Sequence, residues 1–457
     1  MLAMDLRLIT QALRHRAELA RHDTWTPAQI AALSHGRVET LRWMAVERSR
    51  FYAAAHAGAE HAPLAALPLI SKSDLMANFD AAVTAPGITH TQVQQRLVEL
   101  ATTRADPGRP WSRRWWVAGT AGTTGEPAVL AWDRSEWAWV LASYARAIAW
   151  AGVPSGPGHR LRTAFVSTTV PTHQSAVVGA SLRSPLVRTL RLDARAPVDE
   201  LVPQLGTFRP DVLVGYASVL RLLAQEQSAG RLAIAPVAVM SASEVLSAPS
   251  AAMMQTAWGR APFDVYAATE TAGIASSCPR GQRHLYEDLV VAESVDDDGV
   301  AVPDGEAGSP LAGTVLFART VPLIRYVLSD RVTISKHRCG CGLPYRVLQE
   351  IGGRAEDTLR HSTGEPLHVE ALRSVVESAP ITTWRARTDG RTVHVTVVPM
   401  GRPFDPTGLT DGLRDRLREL GRRDFDVVVH VAASLERTPT GKAPTLDASA
   451  GSSGSAG

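Results

Sequence analysis

Phe263-Asp264-Val265-Tyr266-Ala267-Ala268-Thr269-Glu270 reads as a short apolar strand that breaks off into a hydroxyl and a carboxylate. Upstream, similar apolar or β-branched runs recur at 161–166, 212–214 and 237–240, and helical stretches fall at 135–150 and 217–227. Such alternation between about residues 113 and 268 predicts βαβ units on a largely parallel sheet. Ligands of open parallel sheets sit beyond the carboxyl ends of the strands, so Thr269 and Glu270 stand where phosphate and a divalent cation would bind. Read alone, the same pair also fits a helix N-cap followed by a first-turn acid.

Around this sheet the remaining chain divides unevenly. A helix over 37–57 and those before it form an N-terminal layer. Residues 1–23 carry Asp5, Arg7, Arg14, Arg16, Glu18 and Arg21, which interrupt any signal peptide or membrane anchor and predict a surface helix. After Gly352-Gly353 the pattern changes to a hairpin (381–387 and 393–398 around Asp389-Gly390), a helix near 410–420 and a strand at 425–431. The fold expected is therefore α/β: a large N-terminal domain of several subdomains over 1–352, a small α+β domain over 353–445 on a glycine hinge, and a flexible Ala/Gly/Ser tail over 446–457.

Composition narrows the function. With 45% hydrophobic and 20% charged residues over 457 positions, the chain can bury an active-site cleft. A formal charge of +3 gives no clustered basic surface for nucleic acid or an anionic membrane. Trp111, Trp115 and Trp116 beside Arg113 and Arg114 read as core strand with solvated arginines. Three cysteines, an odd number, argue for a reducing compartment, and the expected location is cytoplasmic. Of 48 basic residues only Lys72, Lys336 and Lys442 are lysines, which singles them out for chemistry that arginine cannot perform.

Four further segments carry polar groups suited to a nucleotide. Thr120-Ala121-Gly122-Thr123-Thr124-Gly125-Glu126-Pro127 is a loop whose N–H groups and hydroxyls can converge on phosphate. It is not a Walker A loop, because no Gly-Lys-Ser/Thr follows and 128–132 reads as a strand. Leu323-Ile324-Arg325-Tyr326-Val327-Leu328-Ser329-Asp330 ends in a carboxylate able to accept two ribose hydroxyls. Gly353-Arg354-Ala355-Glu356-Asp357 lies at the proposed domain boundary. Glu436-Arg437-Thr438-Pro439-Thr440-Gly441-Lys442 presents a lysine on a glycine turn, suited to neutralising charge as pyrophosphate leaves. Each alone is an ordinary turn or cap.

Together and in this order, the segments resemble the adenylate-forming superfamily of acyl-CoA synthetases, adenylation domains and luciferases, over about residues 120–442. Leu67-Pro68-Leu69-Ile70-Ser71-Lys72-Ser73-Asp74-Leu75 is similar to the entry motif of its phenylacetate–CoA ligase-like branch. The resemblance implies an AMP-forming acid–thiol ligase that converts a carboxylic acid, aromatic or arylacetic, to its acyl-AMP and passes it to CoA. Implied cofactors are ATP and Mg²⁺. Thr120, Gly122, Thr123, Thr124 and Gly125 would wrap the triphosphate, Ser243 and Glu244 would face adenine, and Tyr266 would stack on it. Thr269 would meet the α-phosphate, Glu270 would hold Mg²⁺, and Asp330 would bind ribose, with Arg346 a further ribose or phosphate contact. Lys442 would bridge carboxylate and α-phosphate, and Glu356 or Asp357 would mark the pivot. Relatives often form homodimers. Ala267 stands where the family has glycine, which alters the acyl pocket. Other acceptors stay open, a carrier-protein thiol or an amine, as does a non-catalytic nucleotide-binding protein of this fold.

Cys278, His284, Cys339 and Cys341 form a Cys₃His set that fits structural zinc, and the same branch carries a like arrangement. Three reduced, buried thiols are the alternative. His173 falls in the zone where relatives line the acyl pocket, although a loop histidine fits as well.

Overall fold

The computed structural model describes residues 5–103, 105–120, 127–154, 160–181, 187–354, 357–400 and 404–446. Its centre is a ten-stranded sheet. Val187–Asp193, Leu161–Ser167, Val212–Gly215, Ala238–Ala242 and Phe263–Ala268 lie side by side in that order, all parallel. Ala272–Ser277, Arg283–Leu285, Val347–Arg354, Asp330–Ile334 and Ala307–Gly308 then continue the sheet antiparallel. The parallel half, Val187–Asp193 apart, is the part expected from alternating apolar runs; the antiparallel half extends it into a mixed sheet. Helices Val198–Phe208, Ala217–Ser228 and Ala248–Trp258 contribute Leu201, Leu205, Leu220, Leu223 and Met254 to one buried cluster with Ala164, Leu213 and Val239 of the strands.

Helix Leu6–His22, expected at the surface, buries Leu8, Leu19 and His22. It is held by an ionic network around Asp288. Arg146, on helix Arg134–Trp150, donates to Asp288 Oδ1 and Oδ2 over 2.7 and 2.6 Å, and His22 Nδ1 lies 2.7 Å from Oδ2. The continuous helix expected over 37–57 is instead two, Pro27–Arg48 and Arg50–Ala55. Ser49 adopts an extended conformation between them and accepts a hydrogen bond from Tyr52 N to cap the second.

C-terminal to the large sheet, Leu359, Leu372, Val376, Trp384, Val395, Leu413 and Val427 form a separate apolar cluster. It lies among Ile381–Thr388 and Thr392–Pro399, which pair antiparallel, Asp426–Val431, which pairs parallel, and helix Pro406–Glu419. Asp405 and Pro406 start that helix earlier than the apolar pattern suggested, because the Asp405 carboxylate accepts from Thr407 N and Gly408 N. Helix Glu370–Ser378 was not anticipated. Gly352-Gly353 lies within the strand Val347–Arg354 rather than in a linker, with Gly353 at φ +82°. Glu356 and the tail from 447 onward fall outside the described residues. Among the described residues no helix is long and apolar enough to cross a membrane.

Candidate active site

Four parallel strands deliver the candidate residues at their carboxyl ends. Leu161–Ser167 leads into Thr168–His173, Val212–Gly215 into Tyr216 and Ser218, Ala238–Ala242 into Ser243 and Glu244, and Phe263–Ala268 into Thr269 and Glu270. Ser243 sits at φ +69°, an uncommon conformation for a residue with a side chain and one that surrounding structure must enforce. Gln174 Nε2 donates to the Thr269 carbonyl over 2.9 Å while its Oε1 accepts from the Tyr144 hydroxyl at 2.8 Å, which fixes the tip of the Tyr266 strand.

Thr120, the first residue of the threonine-rich segment, lies beside these tips. The strands flanking that segment, Trp116–Gly119 and Val129–Trp132, pair antiparallel. Thr120 closes the loop's base, its N–H donating to Ala128 O and its Oγ1 accepting from Ala128 N, both at 2.9 Å. Gly119 N donates to Thr172 O over 2.8 Å and so ties the loop to the His173 segment. Gly122, Thr123, Thr124 and Gly125 lie outside the described residues.

Beyond the strand ends the ionisable groups converge. The Tyr266 hydroxyl donates to Asp330 Oδ2 over 2.8 Å, and the Tyr326 hydroxyl approaches Glu270 Oε1 at 3.4 Å. Arg354 Nε lies 3.9 Å from Asp330 Oδ1, because Asp330 and Arg354 are directly opposed across their two strands. Burial, with Asp330 adding to it, raises Tyr266 well above the usual phenol range. Burial likewise raises Glu270, Arg354 opposing and Asp330 reinforcing the shift. The entry motif has a structural role here: Ile70 N donates to Arg325 O at 3.0 Å and Val327 N to Ile70 O at 2.9 Å, which seats the Tyr326 strand.

Lys442 reaches this cluster from the far end of the chain. Burial and the Arg354 charge lower its pKa, while Glu244, Asp330 and Glu270 pull it up. His173 feels Lys442 in turn: burial first and that charge second push it down to about 4, so it is neutral at physiological pH. The lysine turn is stiff, since Thr438 N donates to Lys442 O (2.9 Å) and Lys442 N to Thr438 Oγ1 (3.0 Å).

Thus Thr120, Ser243, Glu244, Tyr266, Thr269, Glu270, Asp330 and Lys442 surround one region. The Glu244 side chain has both oxygens committed to backbone N–H groups, of Ser218 and Ala443, at 2.8 Å each. Arg346 is drawn elsewhere: Nε lies 2.7 Å from Glu287 Oε1 and Nη1 3.4 Å from Asp304 Oδ1. Arg354 and Tyr326 are the members that sequence reasoning missed. Both stand inside quoted motifs, but only the cross-strand register brings Arg354 to Asp330, and only the tertiary fold brings Tyr326 to Glu270.

A second cluster lies at the end of the antiparallel half. The sulfurs of Cys278, Cys339 and Cys341 and a ring nitrogen of His284 are all within 4.8 Å of one another. Cys278 Sγ and Cys339 Sγ are 3.9 Å apart, and Cys341 Sγ is 3.2 Å from His284 Nε2. Ligands of a tetrahedral zinc at about 2.3 Å for sulfur and about 2.1 Å for nitrogen lie roughly 3.5–3.8 Å apart, so the set fits that ion. His284 Nδ1 lies 3.1 Å from the Tyr345 carbonyl, which can only accept, so Nε2 is left to face the thiols.

No family model matches the chain. A phenylacetate–coenzyme A ligase of Thermus thermophilus is 26% identical over 352 residues, covering 72% of this chain and 77% of that protein. Its fold is that of the adenylate-forming ligases. Among solved structures, 2-hydroxyisobutyryl-CoA ligase in its postadenylation state, with 2-HIB-AMP, matches at TM-score 0.74 and 17% identity, covering 94% of this chain and 91% of that one. The same ligase in its thioesterification state matches at 0.57 and 18% identity, covering 94% and 92%. The adenylate-forming fold thus extends over both the large sheet and the C-terminal sheet.

Proposed function

We propose that this adenylate-forming protein activates a carboxylic acid with ATP, releasing pyrophosphate, and transfers the acyl group to the thiol of CoA. The observation that carries this reading is the convergence of Lys442 with Glu270 and Asp330 at the carboxyl ends of the parallel strands. A buried cation among strand-end carboxylates suits a reaction in which negative charge builds on phosphate oxygens. The curated relative's activity supports an aromatic or arylacetic acid as the substrate class.

In this reading the Tyr266 ring and the Ser243 backbone hold adenine, and Asp330, oriented by the Tyr266 hydroxyl and Arg354, accepts the ribose hydroxyls. Thr120 and the loop after it cradle the phosphates. Thr269 meets the α-phosphate. Glu270 would hold Mg²⁺, and its nearness to Asp330 gives the concentrated negative charge that favours a divalent cation. That ion neutralises phosphate charge when bound. Lys442 bridges the attacking carboxylate and the α-phosphate, and positioning supplies the rest of the rate. Cys278, His284, Cys339 and Cys341 would hold a structural zinc with no open position.

Residues 353–445 form the small domain, which rotates relative to 1–352 between half-reactions and withdraws Lys442. The higher score against the postadenylation state supports assigning the present arrangement to the adenylation side of that cycle. Pyrophosphate release across a panel of carboxylic acids, with and without CoA, tests the proposal. Acid-dependent release that leads to acyl-CoA is expected. Release without any thioester, or with capture by an amine or a carrier-protein thiol, would replace CoA as acceptor, and no acid-dependent release would overturn the reading.

A further inference from the structure

We infer that Glu244 is a positioning residue: it latches the Lys442 turn for acyl-AMP formation and releases it for the second half-reaction. This rests on the acyl-activation reading above. Glu244 stands just past the end of Ala238–Ala242, and its two carboxylate oxygens serve two bodies. Oε2 accepts from Ser218 N at 2.8 Å, in the first turn of helix Ala217–Ser228. Oε1 accepts from Ala443 N at 2.8 Å, one residue beyond the lysine. The helix N-cap, Tyr216, makes no side-chain capping bond, so Glu244 caps the helix from another strand end, where an anion is favoured.

Neighbouring contacts make the seat specific. Arg437 Nη1 donates to Ser218 Oγ at 3.0 Å and to Gly441 O at 2.9 Å. The Tyr216 hydroxyl donates to Thr440 O at 3.1 Å and accepts from Thr168 N at 3.0 Å. Gly441, at φ +82°, lies so close to the large domain that a Cβ there would meet Ala194 Cβ at 3.0 Å and Arg195 at 3.3 Å. The turn itself is rigid, so where it docks decides where the Lys442 ammonium stands. Rotation of the small domain breaks the Ala443 bond and leaves the Ser218 bond in place. Both partners are N–H donors, so the position needs two acceptors. Glutamine would set an N–H₂ group against one of them.

The test separates the half-reactions in Glu244→Gln. Acid-dependent ATP–pyrophosphate exchange should fall roughly 10- to 100-fold in kcat, the scale of a hydrogen bond to a charged group, with KM for the acid unchanged. Thioester formation from synthetic acyl-AMP and CoA should keep or exceed the wild-type rate, and Glu244→Asp should restore part of the exchange. Amide hydrogen exchange over 437–446 should quicken in Glu244→Gln, a readout independent of any substrate. Equal loss in both half-reactions would make Glu244 merely structural. Unchanged pyrophosphate exchange together with unchanged amide protection would overturn the latch. A wild-type protein with no exchange on any acid, but whose 437–446 amides loosen in Glu244→Gln, would overturn the reaction while keeping the latch.

Discussion

The Tyr266 hydroxyl donates a hydrogen bond to Asp330 across 2.8 Å, although 64 positions separate the two residues. The bond fixes the carboxylate that we assign to ribose and leaves the ring face for the base. Tyr266→Phe keeps the ring and loses only the orienting hydroxyl. It should raise KM for ATP about 3- to 10-fold, the cost of one hydrogen bond, with kcat near wild type. Asp330→Ala, which removes the proposed ribose acceptor as well, should raise it further. Initial rates of pyrophosphate release against ATP concentration measure both, and a Phe variant as impaired as the Ala variant would contradict this division of labour.

Lys442→Ala should cut adenylation about 10²- to 10³-fold, as expected for loss of a group that stabilises transition-state charge, and leave thioesterification of preformed acyl-AMP largely intact. The active form is the ammonium. Burial and Arg354 lower its pKa, so kcat/KM for ATP should decline as pH rises through a value below the ordinary lysine range of about 10.4. Lys442→Arg, charged throughout, should lack that limb even if slower. A decline that persists in the arginine variant would assign the titration to another group.

Metal analysis of the purified protein should find one zinc per chain. Cys339→Ser should lower that content and the melting temperature together, since binding to a set that assembles only on folding stabilises the fold. Chelation of wild type should reproduce the shift. A wild type without metal, and a serine variant that melts at the same temperature, would identify the cluster as three plain thiols and a histidine.

Asp288→Asn removes one partner of the buried pair with Arg146 and should cost about 3–5 kcal/mol in urea unfolding at neutral pH. Although burial pushes Asp288 up, Arg146 outweighs it and holds the carboxylate below its usual range. A folded-state pKa that is depressed contributes stability above the unfolded value and loses it as pH falls. The gap between wild type and variant should therefore be full near pH 7 and shrink as acid is taken below about pH 4. A gap that does not change with pH would locate the loss in packing rather than charge.

Four of the five parallel strands were legible because they are buried runs rich in apolar residues, whereas Val187–Asp193, with Arg188, Thr189 and Arg191 and mostly half-exposed, was not. The antiparallel half was not: Arg283–Leu285 is short and polar and Ala307–Gly308 is only two residues long, so neither can show a period. Arg354 was visible only as part of a glycine-flanked boundary, because its tie to Asp330 arises from the register of two strands. Arg346 looked available for phosphate until folding set Glu287 and Asp304 beside it. Ser49 lies in an unbroken helical pattern, and its capping of Tyr52 is a local preference that overrides that pattern. Glu244 fell in the right place by motif, but its partner, Ala443, is 199 positions away and beyond any local reading.

The strand Val347–Arg354 starts in register with His284 and ends opposite Asp330. Its first residue thus lies at the thiol cluster and its last beside the Asp330 carboxylate, with an irregular register and the left-handed Gly353 just before Arg354. Oxidation of the sulfurs would therefore be absorbed at the two glycines before it displaced the guanidinium, and the two ends of this strand are expected to fail separately.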